Sequence, residues 1–358
     1  MKIGIYDPYL DDLGGGEKYM MTIAECLAKK HEVFVFWNNK VDFEGIKERF
    51  SLDLDKVKLR ENIFAPRISF FKKIVESQKY DIIIAVSDGS IPFVLAKKLF
   101  LHIQQPLEKI NTSSWKDKIK LGRVAGVFYN SHFTRKFDEK ILSGVKSAVI
   151  YPPVFIPNLE MKKEDVILHV GRFRPKNDGA DDFKKQSVMV EEFKKMFDAK
   201  QTKNWKFFIA VSIKDGDEEI FERLKSSAKN YPIEFFINKT NEELWELYGK
   251  AKIYWHASGY GEDLDRHPEL AEHFGISTVE AMGAGAVPVA IKAGGQIEII
   301  TDGEDGFLWN SLAELKNKTQ QLINNHKLWN ESSKKAMLRA KDFSKEKFNE
   351  RIISLIEQ

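Results

Sequence analysis

The chain has 358 residues, of which 43% are hydrophobic, with 56 Lys and Arg against 53 Asp and Glu. This length favours two domains, and the composition is ordinary for a globular enzyme. No apolar run reaches about 18 residues, which excludes a predicted membrane-spanning helix, and Met1 leads into the strand-like KIGIY without a signal-peptide pattern. A single cysteine, Cys26, excludes an internal disulfide. We therefore expect a cytoplasmic protein.

Positive charge is concentrated in the first half of the chain. Residues 1–155 carry 25 Lys and Arg against 19 Asp and Glu, whereas residues 156–358 carry 31 against 34. Most of the excess lies between Lys56 and Arg123, with 14 basic and 6 acidic residues. Such a patch is typical of a surface that meets a membrane or an anionic acceptor, and a solvated lysine-rich surface is the alternative. No nucleic-acid-binding motif accompanies it, so nucleic acid is not predicted as a partner.

Strand-like segments alternate with helical patterns through the first 155 residues. KIGIY is followed by a predicted helix over Glu17–Lys30 and then by EVFVFW, DIIIAVS, FLHIQ, GVFYNS and AVIYPPV. Strands separated by helices predict a parallel sheet with helices on both faces. Residues 1–155 are therefore predicted to form one domain.

A glycine-rich loop, Gly14 to Gly16, follows the first predicted strand. Open α/β sheets bind ligands at the carboxyl ends of their strands, and glycines let the backbone approach a ligand closely. Tyr19 stands where a dinucleotide-binding fingerprint has its third glycine, which disfavours a Rossmann dehydrogenase. A flexible loop that binds nothing is the alternative.

The alternation begins again after the Pro-rich, charged segment between Pro152 and Asp165, which is typical of an interdomain linker. The second set of strands is VILHVGRF, WKFFIAVS, IEFFIN, KIYWHAS and AVPVAI, and the predicted helices cover Val188–Phe197, Asp217–Lys229, Asn241–Lys250 and Ser277–Gly283. This pattern predicts a second domain over residues 160–335. An amphipathic helix is predicted from about Lys334 to the end of the chain, and residues 336–358 are assigned to it as a third segment.

Two carboxylates flank the predicted start of a helix in EHFGISTVEAMG. Ser277 is a good N-cap residue, and Glu280 follows it at the spacing of a capping box, so capping is one role for Glu280. Gly275 and the first N–H groups of the helix also make a potential anion site. Phosphate is the ligand that this arrangement favours.

These residues resemble a known family. EHFGISTVEAMGAGAVPV and the later Gly294, Gly295 and Glu298 resemble the Glu-x7-Glu signature of the retaining, nucleotide-sugar-dependent glycosyltransferases of family 4. The resemblance implies the GT-B fold, in which two Rossmann-like domains with parallel sheets face each other across a cleft. It also implies that the second domain holds the donor, that the first holds the acceptor, and that the helix of residues 336–358 packs back on the first domain.

The resemblance implies four catalytic residues. Arg172 and Lys184, in HVGRFRPKNDGADDFKK, match the pair that neutralises the departing diphosphate, because cationic side chains stabilise charge that develops on a leaving group. Glu272 matches the residue that faces the transferred sugar. His102 resembles a histidine beside that sugar, with a structural role as the alternative.

The lysine that meets the phosphate depends on the register across the insertion PKNDGADD. Counting back from Phe193, whose distance along the helix is fixed in relatives, selects Lys184, with Lys185 second. Lys176 is selected if the insertion is ignored.

The resemblance also implies a donor-binding set. Glu280 matches the residue that holds the ribose hydroxyls, since a carboxylate accepts from vicinal hydroxyls. The other predicted donor-binding residues are Gly15, Gly16, Gly171, Lys185, Ile237, Gly275, Ile276 and Ser277.

The predicted activity is transfer of a hexose, with retention, from a nucleoside-diphosphate sugar to a glycan or lipid-linked acceptor. No metal or other cofactor is predicted, because cations serve the phosphate and no Asp-x-Asp follows an early strand. EHFG-x-x-x-VE-x-M resembles mannosyltransferases that build lipid-linked oligosaccharides, which favours GDP-mannose, with UDP-sugars open. A soluble sugar-metabolite synthase and a non-catalytic sugar-nucleotide-binding protein are the alternatives. Peripheral attachment at the inner face of a membrane is compatible with the basic first domain.

Overall fold

The computed structural model describes residues 1–12, 14–107, 110, 114–157, 161–175, 182–202 and 204–357. The chain divides into two compact units, Met1–Pro153 with Lys345–Gln358, and Val154–Ser344. Each unit is built on a parallel β-sheet with helices between its strands. The predicted α/β class, with two parallel-sheet units, is confirmed.

The first unit contains seven strands and six helices in its described residues. The strands are β1 (Lys2–Tyr6), β2 (Glu32–Phe36), β3 (Val57–Arg60), β4 (Ile82–Val86), β5 (Lys98–Ile103), β6 (Val124–Tyr129) and β7 (Ser147–Val149). The helices are α1 (Gly15–Ala28), α2 (Lys40–Phe50), α3 (Phe70–Ser77), α4 (Trp115–Leu121), α5 (His132–Asp138) and α13 (Lys345–Glu357). The sheet order is β3-β2-β1-β4-β5-β6-β7, with parallel pairing.

Helices on both faces explain why the central strands of this sheet are apolar throughout. All five residues of β4, IIIAV, are buried, as expected for a parallel strand covered on both sides. On one face α1 and α13 pack together, and Phe348, Ile352 and Ile356 of α13 join the same core as Ile3 and Ile5. Helix α13 thus completes the core of the first unit.

The second unit contains six strands and seven α-helices in its described residues. The strands are β8 (Glu164–Arg172), β9 (Lys206–Ser212), β10 (Ile233–Ile237), β11 (Ala251–His256), β12 (Val287–Ile291) and β13 (Phe307–Trp309). The helices are α6 (Gln186–Asp198), α7 (Glu218–Ser227), α8 (Asn241–Lys250), α9 (Ile276–Gly283), α10 (Gln296–Ile299), α11 (Leu312–Asn324) and α12 (His326–Ala340). The sheet order is β10-β9-β8-β11-β12-β13. Among all described residues, no helix combines the length and the apolar character needed to cross a bilayer.

The prediction of one continuous helix from Lys334 to the chain end is wrong. The helix α12 ends at Ala340, and α13 begins at Lys345 after a turn in which Ser344 is extended (φ −67°, ψ 160°). The Ser333 hydroxyl donates to the Gly285 carbonyl at 2.7 Å, which keeps α12 in the second unit. The chain therefore crosses between the units at residues 344–345, after the predicted boundary at 336.

Candidate active site

The strand order of the second unit brings two chemically active side chains together. β8 lies between β9 and β11. Strands β9 and β10 are added on one side of β8, and β11 to β13 on the other, so the strand order reverses there. Ligands bind in α/β sheets at the carboxyl ends of the strands beside such a reversal. Arg172 ends β8, and His256 ends the neighbouring β11. This edge is the candidate site.

Lys184 lies against this edge and contacts the first signature glutamate. Its Nζ is 2.6 Å from Glu272 Oε2, and the two side chains are 25% and 21% exposed. A Cβ on Gly171 would lie 3.5 Å from Lys184 Cγ and 3.0 Å from the ring of His169, so glycine leaves room for the lysine stem. The lysine selected by register is therefore placed beside both Gly171 and Glu272.

Glu272 is ionised and has a second partner. His256 is buried, and its Nε2 lies 3.2 Å from Glu272 Oε2. Burial lowers the pKa of His256 more than Glu272 raises it, so a neutral ring donates from Nε2. Burial alone would raise the pKa of Glu272, but the Lys184 ammonium and the His256 hydrogen bond hold it well below its usual range. The carboxylate is thus preorganised as an acceptor.

A second histidine, His169 of β8, is hydrogen-bonded at the same edge of the sheet. His169 is fully buried, and its Nδ1 lies 3.0 Å from the Trp255 carbonyl. Burial lowers its pKa to about 3, so the ring is neutral and donates from Nδ1. Its Nε2 then accepts from the Gln186 amide at 3.3 Å. These bonds fix the end of β8, on which Arg172 stands.

The next lysine has a different partner. Lys185 is buried, adopts a left-handed backbone (φ 58°) and places its Nζ 2.6 Å from Glu262 Oε1. Consecutive lysines thus reach glutamates on either side of the 263–271 segment. The Asp182 carboxylate accepts from the N–H groups of Gln186 and Ser187 at 2.9 and 3.0 Å, which caps α6. The alternative Lys176 lies outside the described residues.

Arg172 is partly buried at the end of β8, and no ion pair is found for it within the described ranges. A guanidinium presents a planar fork of donors that matches phosphate oxygens. Arg172 and Lys184 give this edge two cations near an ionised Glu272.

The helix that carries the second signature glutamate starts differently from the prediction. Gly275, not Ser277, is the N-cap of α9, with φ 116° and no side-chain cap, so the predicted capping box is wrong. A Cβ on Gly275 would lie 2.2 Å from Gln296 Nε2, which only glycine avoids. The Gly295 N–H donates to the Glu272 carbonyl at 2.7 Å. The glycine pair at 294–295 thus holds the glutamate loop.

Glu280 and Ser277 bond to tyrosines rather than to the helix start. The Tyr248 hydroxyl donates to Glu280 Oε2 at 2.9 Å, and the Tyr254 hydroxyl lies 2.8 Å from Ser277 Oγ. Burial, with the Glu280 charge next, raises the pKa of Tyr248 well above its usual range, so the phenol remains a donor. Glu280 is partly exposed and is the fifth of the eight residues of α9. It is therefore an oriented carboxylate.

The two predicted donor-binding isoleucines, Ile276 and Ile237, lie in different parts of the second unit. Ile276 is the first residue of α9 and is partly buried, next to Gly275. Ile237 ends β10 and is 37% exposed. Since β10 is the sheet edge beyond β9, Ile237 lies two strands away from β8.

The predicted residues of the first unit lie at the carboxyl edge of its own sheet. The Glu17 carboxylate accepts from the Gly14 N–H at 2.6 Å, at the start of α1. Gly15 is exposed, and a Cβ on Gly16 would lie 2.2 Å from Gln104 Oε1, so close packing requires this glycine. These glycines belong to the strand-to-helix loop predicted from the sequence.

His102 is fully buried in the first unit. Its ring stacks between Tyr19, at 4.1 Å, and Phe128, at 4.8 Å. Burial lowers its pKa to about 3, and Nδ1 lies 3.2 Å from the Phe128 carbonyl. Within the described residues its Nε2 has no hydrogen-bond partner.

Sequence reasoning missed four supporting residues: His169, Gln186, Tyr248 and His256. Tyr248 bonds to Glu280 and His256 to Glu272, whereas Gln186 bonds to the Gly171 carbonyl and to His169. These contacts join residues at least 15 positions apart in the sequence. The sequence could have indicated His256 as a site residue, because it lies at the end of a predicted strand in the domain that carries Glu272. In the part of the chain that the structure describes, no cluster of three or more His, Cys, Asp or Glu could hold a metal ion.

The two parallel-sheet units are the architecture expected of a GT-B glycosyltransferase. The chain belongs to the family of group 1 glycosyl transferases, whose model matches residues 155–339, a little over half of its length. The match covers Arg172, Lys184, Glu272 and Glu280.

Curated relatives act on lipid-linked glycans. A Dictyostelium discoideum GDP-Man:Man(3)GlcNAc(2)-PP-Dol alpha-1,2-mannosyltransferase is 25% identical over 79% of this chain and 55% of its own. The chain thus spans about half the length of that relative. A Campylobacter jejuni N-acetylgalactosaminyltransferase named for a diNAcBac-PP-undecaprenol-linked substrate is 25% identical over 96% of this chain and 95% of its own.

Solved structures share the fold. Anabaena HepE, in complex with UDP, superimposes with a TM-score of 0.72 at 19% identity and covers 100% of both chains. Sucrose-phosphate synthase from Thermosynechococcus elongatus gives 0.68 at 15% identity, over 100% of this chain and 98% of its own. The predicted GT-B fold is confirmed.

Proposed function

We propose that this glycosyltransferase moves a hexose, with retention, from a nucleoside-diphosphate sugar to a lipid-linked glycan. The observation that carries the proposal is the contact of Lys184 with Glu272 at the edge that also bears Arg172. This edge therefore holds two cations that can bind a diphosphate and an ionised carboxylate that can accept hydrogen bonds from sugar hydroxyls. Glu280, oriented by Tyr248, supplies an acceptor for the ribose.

When the donor binds, Lys184 and Glu272 exchange their contact with each other for contacts with the donor. The diphosphate takes hydrogen bonds from Arg172 and Lys184, and a sugar hydroxyl takes the place of Lys184 at Glu272. Each buried charge then keeps a partner, so its desolvation is compensated. His256 continues to orient Glu272, which lets the carboxylate hold the sugar without rotating.

The transfer step forms a bond between the acceptor oxygen and the anomeric carbon and breaks the bond from that carbon to the phosphate oxygen. The acceptor attacks from the face that the leaving group vacates, which retains the configuration, and its proton leaves with the diphosphate. Negative charge grows on the phosphate, where Arg172 and Lys184 stabilise it. These cations replace a metal ion, so activity should survive EDTA. A strict requirement for Mg²⁺ or Mn²⁺ would contradict this mechanism.

The proposed donor is GDP-mannose, supported by the naming of the Dictyostelium relative as a GDP-Man-dependent enzyme. UDP-N-acetylhexosamine is the second candidate, supported by the nearly full-length match to the Campylobacter N-acetylgalactosaminyltransferase. Incubating the protein with radiolabelled sugar nucleotides and polyprenyl-diphosphate-linked oligosaccharides tests both. We expect label in the lipid-extractable product. Label that appears only as free sugar, with every donor and acceptor, would contradict the transfer reaction.

A further inference from the structure

Two helices of the first unit expose apolar side chains to solvent. Phe70 and Phe71, at the start of α3, are 66% and 76% exposed, and Trp115 and Ile119 of α4 are 68% and 49% exposed. Trp115 and Ile119 are four residues apart, so they share one face of α4. None of the seven residues of α4, all of which the structure describes, is buried. These four side chains form the aromatic face.

The two helices border the same segment of chain. The Phe70 ring stacks on Phe93 at 5.7 Å. The Leu95 N–H donates to the hydroxyl of Ser77, the last residue of α3, at 3.0 Å. The Arg123 guanidinium, just after α4, donates to the Ala96 carbonyl at 2.7 Å. Both helices that carry the aromatic face therefore border residues 93–96.

Basic residues outnumber acidic residues in the two helices that carry the aromatic face. Residues 114–123 carry Lys116, Lys118, Lys120 and Arg123 against one acid, and residues 67–79 carry four basic residues against one acid. Lys120 pairs with Asp117 at 3.6 Å, Lys72 with Glu61 at 2.7 Å and Lys79 with Glu76 at 2.6 Å. Lys116 and Lys118 are exposed and are found in no ion pair within the described ranges. The charge that the aromatic face offers to a partner is therefore positive.

We propose that the aromatic face docks on a bilayer surface that carries anionic lipid headgroups. Aromatic rings settle at the headgroup level while lysines attract anionic lipid, and the two contributions add. A soluble partner would also need a complementary acidic surface, whereas a membrane supplies both chemistries at once. The inference rests on the proposed function for its purpose, since a lipid-linked acceptor resides at such a surface.

Vesicle co-sedimentation of the full chain tests the docking surface. We expect binding to vesicles of phosphatidylcholine with phosphatidylglycerol, weaker by about tenfold or more on phosphatidylcholine alone. The Phe71→Ser/Trp115→Ser variant should lose about tenfold or more in affinity, because each ring contributes buried apolar area. The Lys116→Glu/Lys118→Glu variant should lose a similar factor, and 0.5 M salt should weaken the wild type.

Matched control variants distinguish docking through the aromatic face from non-specific adsorption to vesicles. Val41→Ser/Leu338→Ser removes comparably exposed apolar groups elsewhere, and Lys229→Glu/Lys334→Glu reverses exposed lysines of the second unit. Both should bind vesicles within about twofold of the wild type. Unchanged thermal unfolding of all four variants verifies that exposed positions, not folding, were altered.

Three results would overturn the docking surface: no binding to anionic vesicles, equal loss in target and control variants, or a dimer in sedimentation that Trp115→Ser dissociates. The last would make a second copy the occupant. Binding of sugar nucleotides is measured on the same samples. If it persists while vesicle binding is absent, the docking surface is wrong and the proposed function stands.

Discussion

Lys184 and Glu272 form an ion pair with 2.6 Å between Nζ and Oε2, each side chain about one quarter exposed or less. The pair joins the segment just before α6 to the loop before α9, 88 residues later. The proposed mechanism assigns Lys184 to the diphosphate and Glu272 to the sugar, on the two sides of the bond that breaks. The contact therefore concentrates the donor chemistry in a site built by the second unit.

The first prediction concerns the two cations. Arg172→Ala and Lys184→Ala should each lower turnover by on the order of 10²-fold or more, because each removes a preorganised stabiliser of the leaving phosphate. Steady-state transfer rates measure the loss. Lys194→Ala is the control, since that lysine pairs with the exposed Glu191. Full activity in Lys184→Ala, or a larger loss in Lys176→Ala, would contradict the assigned register.

The second prediction divides labour between the two glutamates. Glu280→Gln should weaken binding of the bare nucleoside diphosphate, because an amide offers one acceptor oxygen where a carboxylate offers two. Glu272→Gln should leave that binding nearly intact and lower transfer, because its contact belongs to the reacting sugar. Calorimetry with the diphosphate and with the whole sugar nucleotide separates the two. Equal loss of diphosphate affinity in both variants would refute the division.

The third prediction concerns the backbone at the start of α9. Gly275→Ala should destabilise the protein by about 3 kcal/mol or more, since it adds positive-φ strain to a clash with Gln296. Gly303 has φ +80° but nothing within 4 Å of its Cβ position. Gly303→Ala should therefore cost only about 1 kcal/mol. Urea unfolding compares the two variants, and equal costs would show that the Gln296 contact is easily relieved.

The fourth prediction concerns a buried carboxyl group of the first unit. Burial, with the nearby Glu17 charge next, raises the pKa of Asp7 from 3.8 to about 7. Between these values the native state holds a proton that the unfolded state lacks. The contribution of Asp7 to the free energy of unfolding is thus fully present below pH 3.8. It is lost as the pH rises toward about 7, by up to about 4 kcal/mol.

Asp7→Asn removes this titration and keeps an oxygen for the Tyr9 N–H, which donates to Asp7 at 3.0 Å. The stability of the variant relative to the wild type should therefore rise between pH 4 and 7, as thermal unfolding would measure. Asp215→Asn is the control and should show no such trend, because Asp215 is exposed and is not among the charges that act on Asp7. A flat difference for Asp7→Asn would show that Asp7 is already ionised in the folded state at low pH.

Much of the fold could be predicted because its signals are local. The alternation of apolar strands with helices specifies parallel sheets, and IIIAV of β4 is recognisably a strand buried on both faces. The motif residues Arg172 and Glu272 lie at a strand end and in a loop, as their sequence context predicts. Counting across the insertion selects Lys184, and the structure places its Nζ 2.6 Å from Glu272 Oε2. Its contact with the donor phosphate stays a prediction.

The remaining features depend on contacts that no local pattern encodes. Ser277 is a sound N-cap by type, but Gly275 takes that position because Gln296 of a later helix fills the space beside it. Likewise, Tyr248 meets Glu280 across 32 residues, and His256 meets Glu272 across 16. Only the packing of α8, α9 and β11 on one sheet brings these groups together.

The binding of sugar nucleotides to the site of Arg172, Lys184, Glu272 and Glu280 is the central claim, and thermal unfolding with a panel of GDP-, UDP- and ADP-sugars tests it most directly. A cognate donor at 100 times its Kd should stabilise the wild type by about 2.7 kcal/mol. The same donor should stabilise Arg172→Ala and Glu280→Gln markedly less. Absence of stabilisation by every sugar nucleotide, or equal stabilisation of wild type and both variants, would contradict the account.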